Sequence, residues 1–505
     1  MGALVRRRRI EAAAEAAPLS RGLLFSFLIL ILVMGYLVET SRRFPTLFIG
    51  IVSVFGLFGF FVIGIRRPEI PLYLMVAYLP FSKLLAGDFG GAIMALNLTN
   101  LLFVVIIICF VANAATEGQL RFEPNRLHLP VILFAVWGFF SVVHSCMVYP
   151  STSYRLQAIA EYKRWMDPIL IYFLFFHIVR DRRRWKAVII ILMVGVTIAA
   201  LMAIRDYMTQ TGGSLEHSRI GGIADQPNVL GAFFVYYMFL FTGFWLERVR
   251  RLKAWSFLIP FALCFRGIMV TFSRGAYLAF AQGLLGLAFF KNKLLFMLAV
   301  AALVLTVLNP VMLPKGIQYR LQTTFRDQTQ LTDVYETEHL EHHLDTSSGT
   351  RLILWRGATQ MIGDYPWMGV GFGRFHSRIK EYTPEQLSMD AHNAYLITAA
   401  ELGIPALVLF LLVLLAVFRV TSFVHKRSSD SFIRATALGF LGGLSGLLMA
   451  NMFGSRMNTT EVSGYFWILA ALMARAAMWT REELAAQPAP SRRRRLGRRL
   501  ARGMA

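Results

Sequence analysis

Runs of largely apolar residues recur along the chain, many approaching the ~20 residues that a helix needs to cross a bilayer. They fall at 22–38, 46–65, 69–86, 100–114, 128–148, 168–180, 187–204, 229–246, 256–272, 276–290, 294–312, 394–418, 432–452 and 463–480. These fourteen runs predict an all-α, polytopic integral membrane protein with about 12–14 transmembrane helices. The run at 22–38 follows Arg6–Arg9 but is long and has no A-x-A cleavage pattern, so it reads as an anchor and not a removed signal.

Charge gives an independent check on the spans. With the amino terminus in the cytoplasm and strict alternation, the clusters Arg6–Arg9, Arg66–Arg67, Arg180–Lys186, Arg248–Lys253, Lys291–Lys293, Lys426–Arg427 and Arg492–Arg499 all fall inside. Most of the 52 Lys and Arg lie in these inner segments, which is a positive-inside bias with both termini cytoplasmic. The chain therefore reads as a multi-pass membrane protein.

One connection breaks the pattern of short loops. Residues 313–393 form a predicted periplasmic loop holding half of the ten histidines. Its first part, Thr323 to Ser348, is polar, whereas Trp355, Tyr365, Trp367, Phe372, Phe375 and Tyr382 give the second part apolar mass. Loops this long are usually functional or disordered, and the aromatics predict a folded cap over the outer ends of the spans.

Composition narrows the class. Of 505 residues, 56% are apolar and 16% charged, against about 25% charged in soluble domains. That excludes a cytosolic enzyme and a disordered chain. Cys109, Cys146 and Cys264 lie in apolar runs and predict neither a disulfide framework nor a redox motif. The net charge of +23 sits in short clusters between spans, which fits membrane lipid headgroups and not nucleic acid.

Four outer-face segments carry candidate chemistry. His217 to Asn228 sets Arg219 and a Gly pair before Asn228 at a helix entrance. Thr271-Phe-Ser-Arg-Gly-Ala276 is a tight turn presenting Arg274. Thr350 to Arg356 contains Arg351, followed by Pro366 to Gly373 with three alternating glycines. Asp390-Ala-His-Asn-Ala-Tyr-Leu396 holds His392 between Asp390 and Asn393, and leads into Glu401-Leu-Gly-Ile-Pro405. Singly, each has a bland reading: arginines snorkel, Asn228 caps a helix, and the glycines pack backbone tightly.

Together they suit one reaction. Three guanidiniums on one face can neutralise a diphosphate bidentately. A neutral His392 can take the proton of an attacking hydroxyl, its ring oriented by Asp390 or Asn393. This is the equipment for glycosyl transfer from a lipid diphosphate, with no cofactor or metal required by the motifs.

From Arg351 to about Leu415, the ordered motifs R-x-x-x-W, D-Y-P-W-M-G-V-G-F-G, A-H-N-A-Y-L and E-L-G-I-P resemble the O-antigen ligase/O-antigen polymerase superfamily. Ser273-Arg-Gly-Ala276 and the Arg219 to Asn228 segment are similar to that family's other motifs, so the likeness spans roughly 205–420. The resemblance implies a membrane glycosyltransferase whose donor is an undecaprenyl-diphosphate-linked glycan. It implies essential basic residues at Arg219, Arg274 and Arg351, a loop histidine at His392, and no metal. The acceptor would be a sugar or a lipid core, with polysaccharide-assembly proteins as partners. Span number and the elaborate loop favour a repeat-unit polymerase over a ligase; a protein O-oligosaccharyltransferase is a further acceptor variant.

The organisation that follows is a basic segment 1–21, spans 22–204, a catalytic region 205–420 including the loop, spans 421–480 and a basic tail 481–505. Two features stand outside it. Glu338 to Asp345 spaces His339 and His343 one helical turn apart but reads as a solvated charged stretch. Arg266, near the middle of the 256–272 run, predicts a charge that either lines the donor or glycan path or pairs inside the bundle. A transporter or flippase would instead concentrate ionisable groups at mid-membrane in paired repeats.

Overall fold

The computed structural model describes residues 59–85, 98–116, 122–210, 219–314, 346–383, 388–454 and 459–486, with 317, 318, 322, 324 and 457 besides. The chain divides into two units, Met1–Arg66 and Arg67–Ala505. Of the first, 59–66 is helical. The runs at 22–38 and most of 46–65 lie outside the described residues, as do the basic segments 1–21 and 487–505.

The described part of the second unit is helical, without strands. Its main helices are α1 (Glu69–Tyr78), α2 (Leu98–Thr116), α3 (His128–Val148), α4 (Thr152–Ile178), α5 (Arg182–Thr209), α6 (Pro227–Glu247) and α7 (Leu258–Thr271). They continue with α8 (Arg274–Lys291), α9 (Lys293–Leu308), α10 (Thr346–Asp364), α11 (Ala394–Leu402), α12 (Ile404–Arg427), α13 (Ser431–Ala450) and α14 (Thr460–Ala486). Among the described residues, seven helices are long and apolar enough to cross a membrane: α3, α5, α6, Leu252–Thr271, α12, α13 and Val462–Ala486. Thr99–Ala115 and α9 are shorter apolar helices. The protein is thus a polytopic membrane protein, with seven such helices among the described residues.

Three of the expected spans are differently built. The 69–86 run is interrupted by a 3-10 turn at Leu79–Phe81, where Pro80 has no N–H to continue the α-helical ladder. The 168–180 run is only the end of α4, a 27-residue helix with a polar first half. One face of that half meets protein, through the buried Tyr154 and Ala158: the Tyr154 hydroxyl donates to the Phe372 carbonyl at 3.1 Å, and the Arg374 guanidinium lies 5.0 Å from the Tyr154 ring centroid. The 394–418 run is two helices, α11 and α12, broken at Gly403. Gly403 has φ +86°, and a β-carbon there would stand 1.9 Å from the Trp367 carbonyl oxygen, so only glycine fits.

The bundle is centred on α6, buried all round as expected of a helix surrounded by other helices. α13 lies against it so closely that a β-carbon on Gly443 would sit 2.0 Å from the Tyr236 carbonyl oxygen, the small-residue contact that lets membrane helices approach.

Ion pairs gather at one end of these helices. Lys186 meets Asp430 at 2.7 Å, Lys291 meets Glu247 at 2.8 Å, Arg434 meets the same Glu247 at 3.3 Å, and Arg182 pairs with Glu483. α6 and α8 carry Glu247 and Lys291 at their C-terminal ends, so Asn228 and Arg274 occupy their opposite ends.

The second half of the long loop is folded. Leu354, Ala358 and Met361 of α10 pack with Phe375, Ile379 and Ala391, and with Ile397 and Ala400 of α11, in a separate small core. Trp367, expected to add to that mass, is instead exposed.

Candidate functional site

Two turns and one helix deliver the arginines. Before α6 the chain turns through Gly222 (φ +48°) and Asp225 (φ +59°), then enters the helix at Pro227. α7 ends on Phe272 in the left-handed region, and Ser273 caps α8, its hydroxyl accepting the Ala276 N–H. Arg274 is the first residue of α8, and Arg351 lies in α10.

These segments line one small cleft, walled by Arg219, Asn228, Ser273, Arg274, Arg351 and Phe453 and enclosing ≈ 20 Å³ of free space. Arg219 is aimed by two contacts: its Nε donates to the Thr271 carbonyl at 3.1 Å, and its Nη2 to the Asn228 Oδ1 at 2.9 Å. Arg274 Nη1 donates to the Thr324 hydroxyl at 2.9 Å. The N-termini of α6 and α8 add partial positive charge to the same place. Three half-buried guanidiniums and two helix N-termini give the cleft a concentrated positive charge, chemistry that suits a multiply charged anion.

His392 lies on a strained turn whose neighbours are hydrogen-bonded to two elements that supply the cleft wall. Its φ is +50°, uncommon for a residue other than glycine. The turn is tied to α10, since Trp355, one helical turn beyond Arg351, donates its indole N–H to the Ala391 carbonyl at 2.8 Å. It is tied to the end of α13 by the Ala394 N–H, which donates to the Asn451 carbonyl at 2.8 Å. Asp390 Oδ1 accepts the His392 N–H at 2.5 Å and stands 3.8 Å from the His392 Nδ1.

Two expected site residues go elsewhere. Asn393 is buried and caps α11, its Oδ1 accepting from Tyr395 N at 3.0 Å and Leu396 N at 3.1 Å, so its acceptor is occupied and Asp390 is the group beside the ring. Arg266 lies apart from the cleft, exposed on α7 with its guanidinium 5.1 Å from the Tyr207 ring centroid. It projects from the opposite side of α7 to the buried Cys264, Gly267 and Ile268. Glu338 to Asp345, with His339 and His343, lies outside the described residues.

Three non-glycine residues among those described have positive φ: Asp225, Phe272 and His392. Each falls inside one of the four motif segments. Such strain persists only where surrounding structure imposes it, and it concentrates at functional sites.

Residues 259–411 match the family model described as O-antigen ligase. The chain carries a domain of the O-antigen ligase/polymerase superfamily. No curated protein matches the chain. The matched O-antigen ligase segment contains Arg266, Arg274, Arg351, Asp390, His392 and Asn393, while Arg219 and Asn228 precede it.

The structure also assigns work to residues that the sequence pointed to only as a pattern. The glycine-rich stretch and E-L-G-I-P are two halves of one clasp within this domain. Ile404 N donates to the Pro366 carbonyl, Val370 N to Ala400, and Gly371 N to Glu401, at 2.8, 2.8 and 3.2 Å. The Glu401 carboxylate then accepts the Phe375 N–H at 2.9 Å. Gly369, Gly371 and Gly373 all have positive φ, which lets the strand-like segment fold around the end of α11. Burial pushes the Glu401 carboxyl up to about 7; the Phe375 and Gly373 N–H groups pull it down, and the Glu161 and Asp390 charges raise it further.

Proposed function

We propose that this O-antigen ligase-family protein is a glycosyltransferase of bacterial envelope polysaccharide assembly, acting at the outer face of the inner membrane. The donor is a glycan on undecaprenyl diphosphate and the acceptor a sugar hydroxyl, on a lipid-linked repeat for a polymerase or on a lipid core for a ligase. The convergence of Arg219, Arg274 and Arg351 on one cleft carries this reading. In the reaction, the acceptor oxygen attacks the anomeric carbon as His392 takes its proton. The bond from that carbon to the diphosphate oxygen breaks, and undecaprenyl diphosphate leaves with the electron pair, its charge met by the three guanidiniums. Asp390 stabilises the imidazolium. No resident metal takes part.

The cleft has the volume of about one water, so donor entry requires its walls to move apart. Sidedness follows the charge alternation: the loop 313–393 is periplasmic and both termini are cytoplasmic. The test is transfer of labelled glycan by the full chain in liposomes supplied with a lipid-linked donor. Arg274→Ala should abolish transfer at normal protein level; unchanged product would remove Arg274 from the site.

A further inference from the structure

A second, larger cavity of ≈ 290 Å³ lies on the other side of the Asp390–Asn393 turn, between α4, α11 and the glycine-rich stretch. Its size is at the lower end of the ~300–1,000 Å³ of small-molecule sites. Trp165, Phe372 and the buried Phe134 form its apolar wall. Gln157 and Arg164, both exposed, stand at its rim on α4, one turn to either side of Glu161. Glu161 Oε1 accepts the Gln157 amide at 3.0 Å. Its Oε2 occupies the space a side chain on residue 373 would take, since a β-carbon on Gly373 would lie 2.0 Å away. Asp390 and Glu401 add two more carboxyls.

The two cavities are opposite in character. The arginine cleft presents three cations and no carboxylate, whereas this one presents three carboxyls beside Arg164 and His376. Its lining suits a hydroxyl-rich ring better than an anionic diphosphate. Sugar rings have an apolar C–H face that stacks on indole and phenyl rings, and hydroxyls at the edge that donate to carboxylates and amides. Asp390 lines this cavity, and its Oδ1 accepts the His392 N–H and stands 3.8 Å from the His392 Nδ1. A ring held here therefore has its hydroxyls next to the group that removes the proton.

We propose that this cavity is the acceptor-glycan subsite, taking a neutral, hydroxyl-rich sugar ring stacked on Trp165 and hydrogen-bonded through Gln157, Glu161 and Asp390. The proposal rests on the glycosyl-transfer reading above and adds where the acceptor lies.

The test uses the full chain in nanodiscs and two probes. One is the mixture of short oligosaccharides released by partial acid hydrolysis of the source cell's envelope polysaccharide; the other is inorganic pyrophosphate. Saturation-transfer NMR should show oligosaccharide binding to the wild type. Gln157→Ala and Glu161→Gln, on a helix surface, should weaken it about tenfold, the effect of losing a hydrogen bond to a charged group. Pyrophosphate affinity should stay at the wild-type value in both. Trp165→Phe keeps an aromatic wall and should weaken oligosaccharide binding less than Trp165→Ala. Absence of oligosaccharide binding in the wild type, or equal binding in Gln157→Ala and Glu161→Gln, would overturn the subsite. Failure of pyrophosphate to bind, or binding insensitive to Arg274→Ala, would instead overturn the donor cleft.

Discussion

The Glu401 carboxylate accepts the Phe375 N–H at 2.9 Å, closing the glycine-rich stretch onto the end of α11. This one bond joins two motifs some 25 residues apart and places Gly373 and Phe375 on the wall of the second cavity. Because burial raises the Glu401 carboxyl from its ordinary 4.5 to about 7, the clasp is sensitive to pH. The folded state holds a proton there that the unfolded chain releases. Its stabilising effect is full below about 4.5 and lost as pH rises through about 7. Glu401→Gln retains an acceptor for Phe375 and cannot titrate. The thermal midpoint of the wild type in detergent should therefore fall more between about pH 5 and 8 than that of Glu401→Gln. Parallel curves would show that the clasp does not titrate.

Asn228 aims Arg219 through the 2.9 Å contact. Asn228→Ala frees one side of the guanidinium and should lower transfer about tenfold with little loss of stability. Asn228→Asp keeps the acceptor but sets a negative charge in an anion cleft, so it should be worse than alanine. Steady-state rates on a lipid-linked donor decide the order; alanine worse than aspartate would mean that Asn228 serves only to hold Arg219.

His392 as general base predicts a loss confined to the chemical step. His392→Ala and His392→Gln should both lower kcat by about 10²–10⁴-fold while donor binding is unchanged. Residual activity above a tenth in the glutamine variant would reduce His392 to positioning the acceptor.

Arg475, 4% exposed in α14, pairs with Glu123 and donates through Nε to the Phe176 carbonyl at 3.2 Å. Removing one partner of a buried pair costs about 3 kcal/mol or more. Glu123→Ala should lower the thermal midpoint well below wild type, and Glu123→Gln less so. Equal midpoints would show that Arg475 is satisfied by the carbonyl alone.

The span pattern was legible because a 20-residue apolar run has few alternatives in a membrane protein. Where protein replaced lipid, the pattern misled. The polar first half of α4 hid a long helix because only one face of it is apolar, packing through Tyr154 and Ala158 near Phe372, and Gly403 hid a break inside an apolar run. Arg219 and Arg274 were legible from their turn motifs, since Gly222 takes a positive φ and Ser273 caps α8, whereas Asn228, readable as a cap, instead receives Arg219. Arg266 misled because hydropathy gives depth and not direction. It faces away from the cleft towards Tyr207. Glu401 and Glu161 carried no local signal: their importance comes from contacts across 26 and 212 residues, to Phe375 and Gly373.

The central claim is that the three arginines of one cleft bind the donor diphosphate. It is tested most directly by the affinity of the purified full chain in nanodiscs for undecaprenyl diphosphate, measured for wild type and for Arg219→Ala, Arg274→Ala and Arg351→Ala. Each substitution should weaken binding by about 10–100-fold, the range for a hydrogen bond to a charged group. The three lysine variants should recover part of it, because charge is kept and the fork is lost. Wild-type affinity in a protein lacking all three guanidiniums would contradict the account.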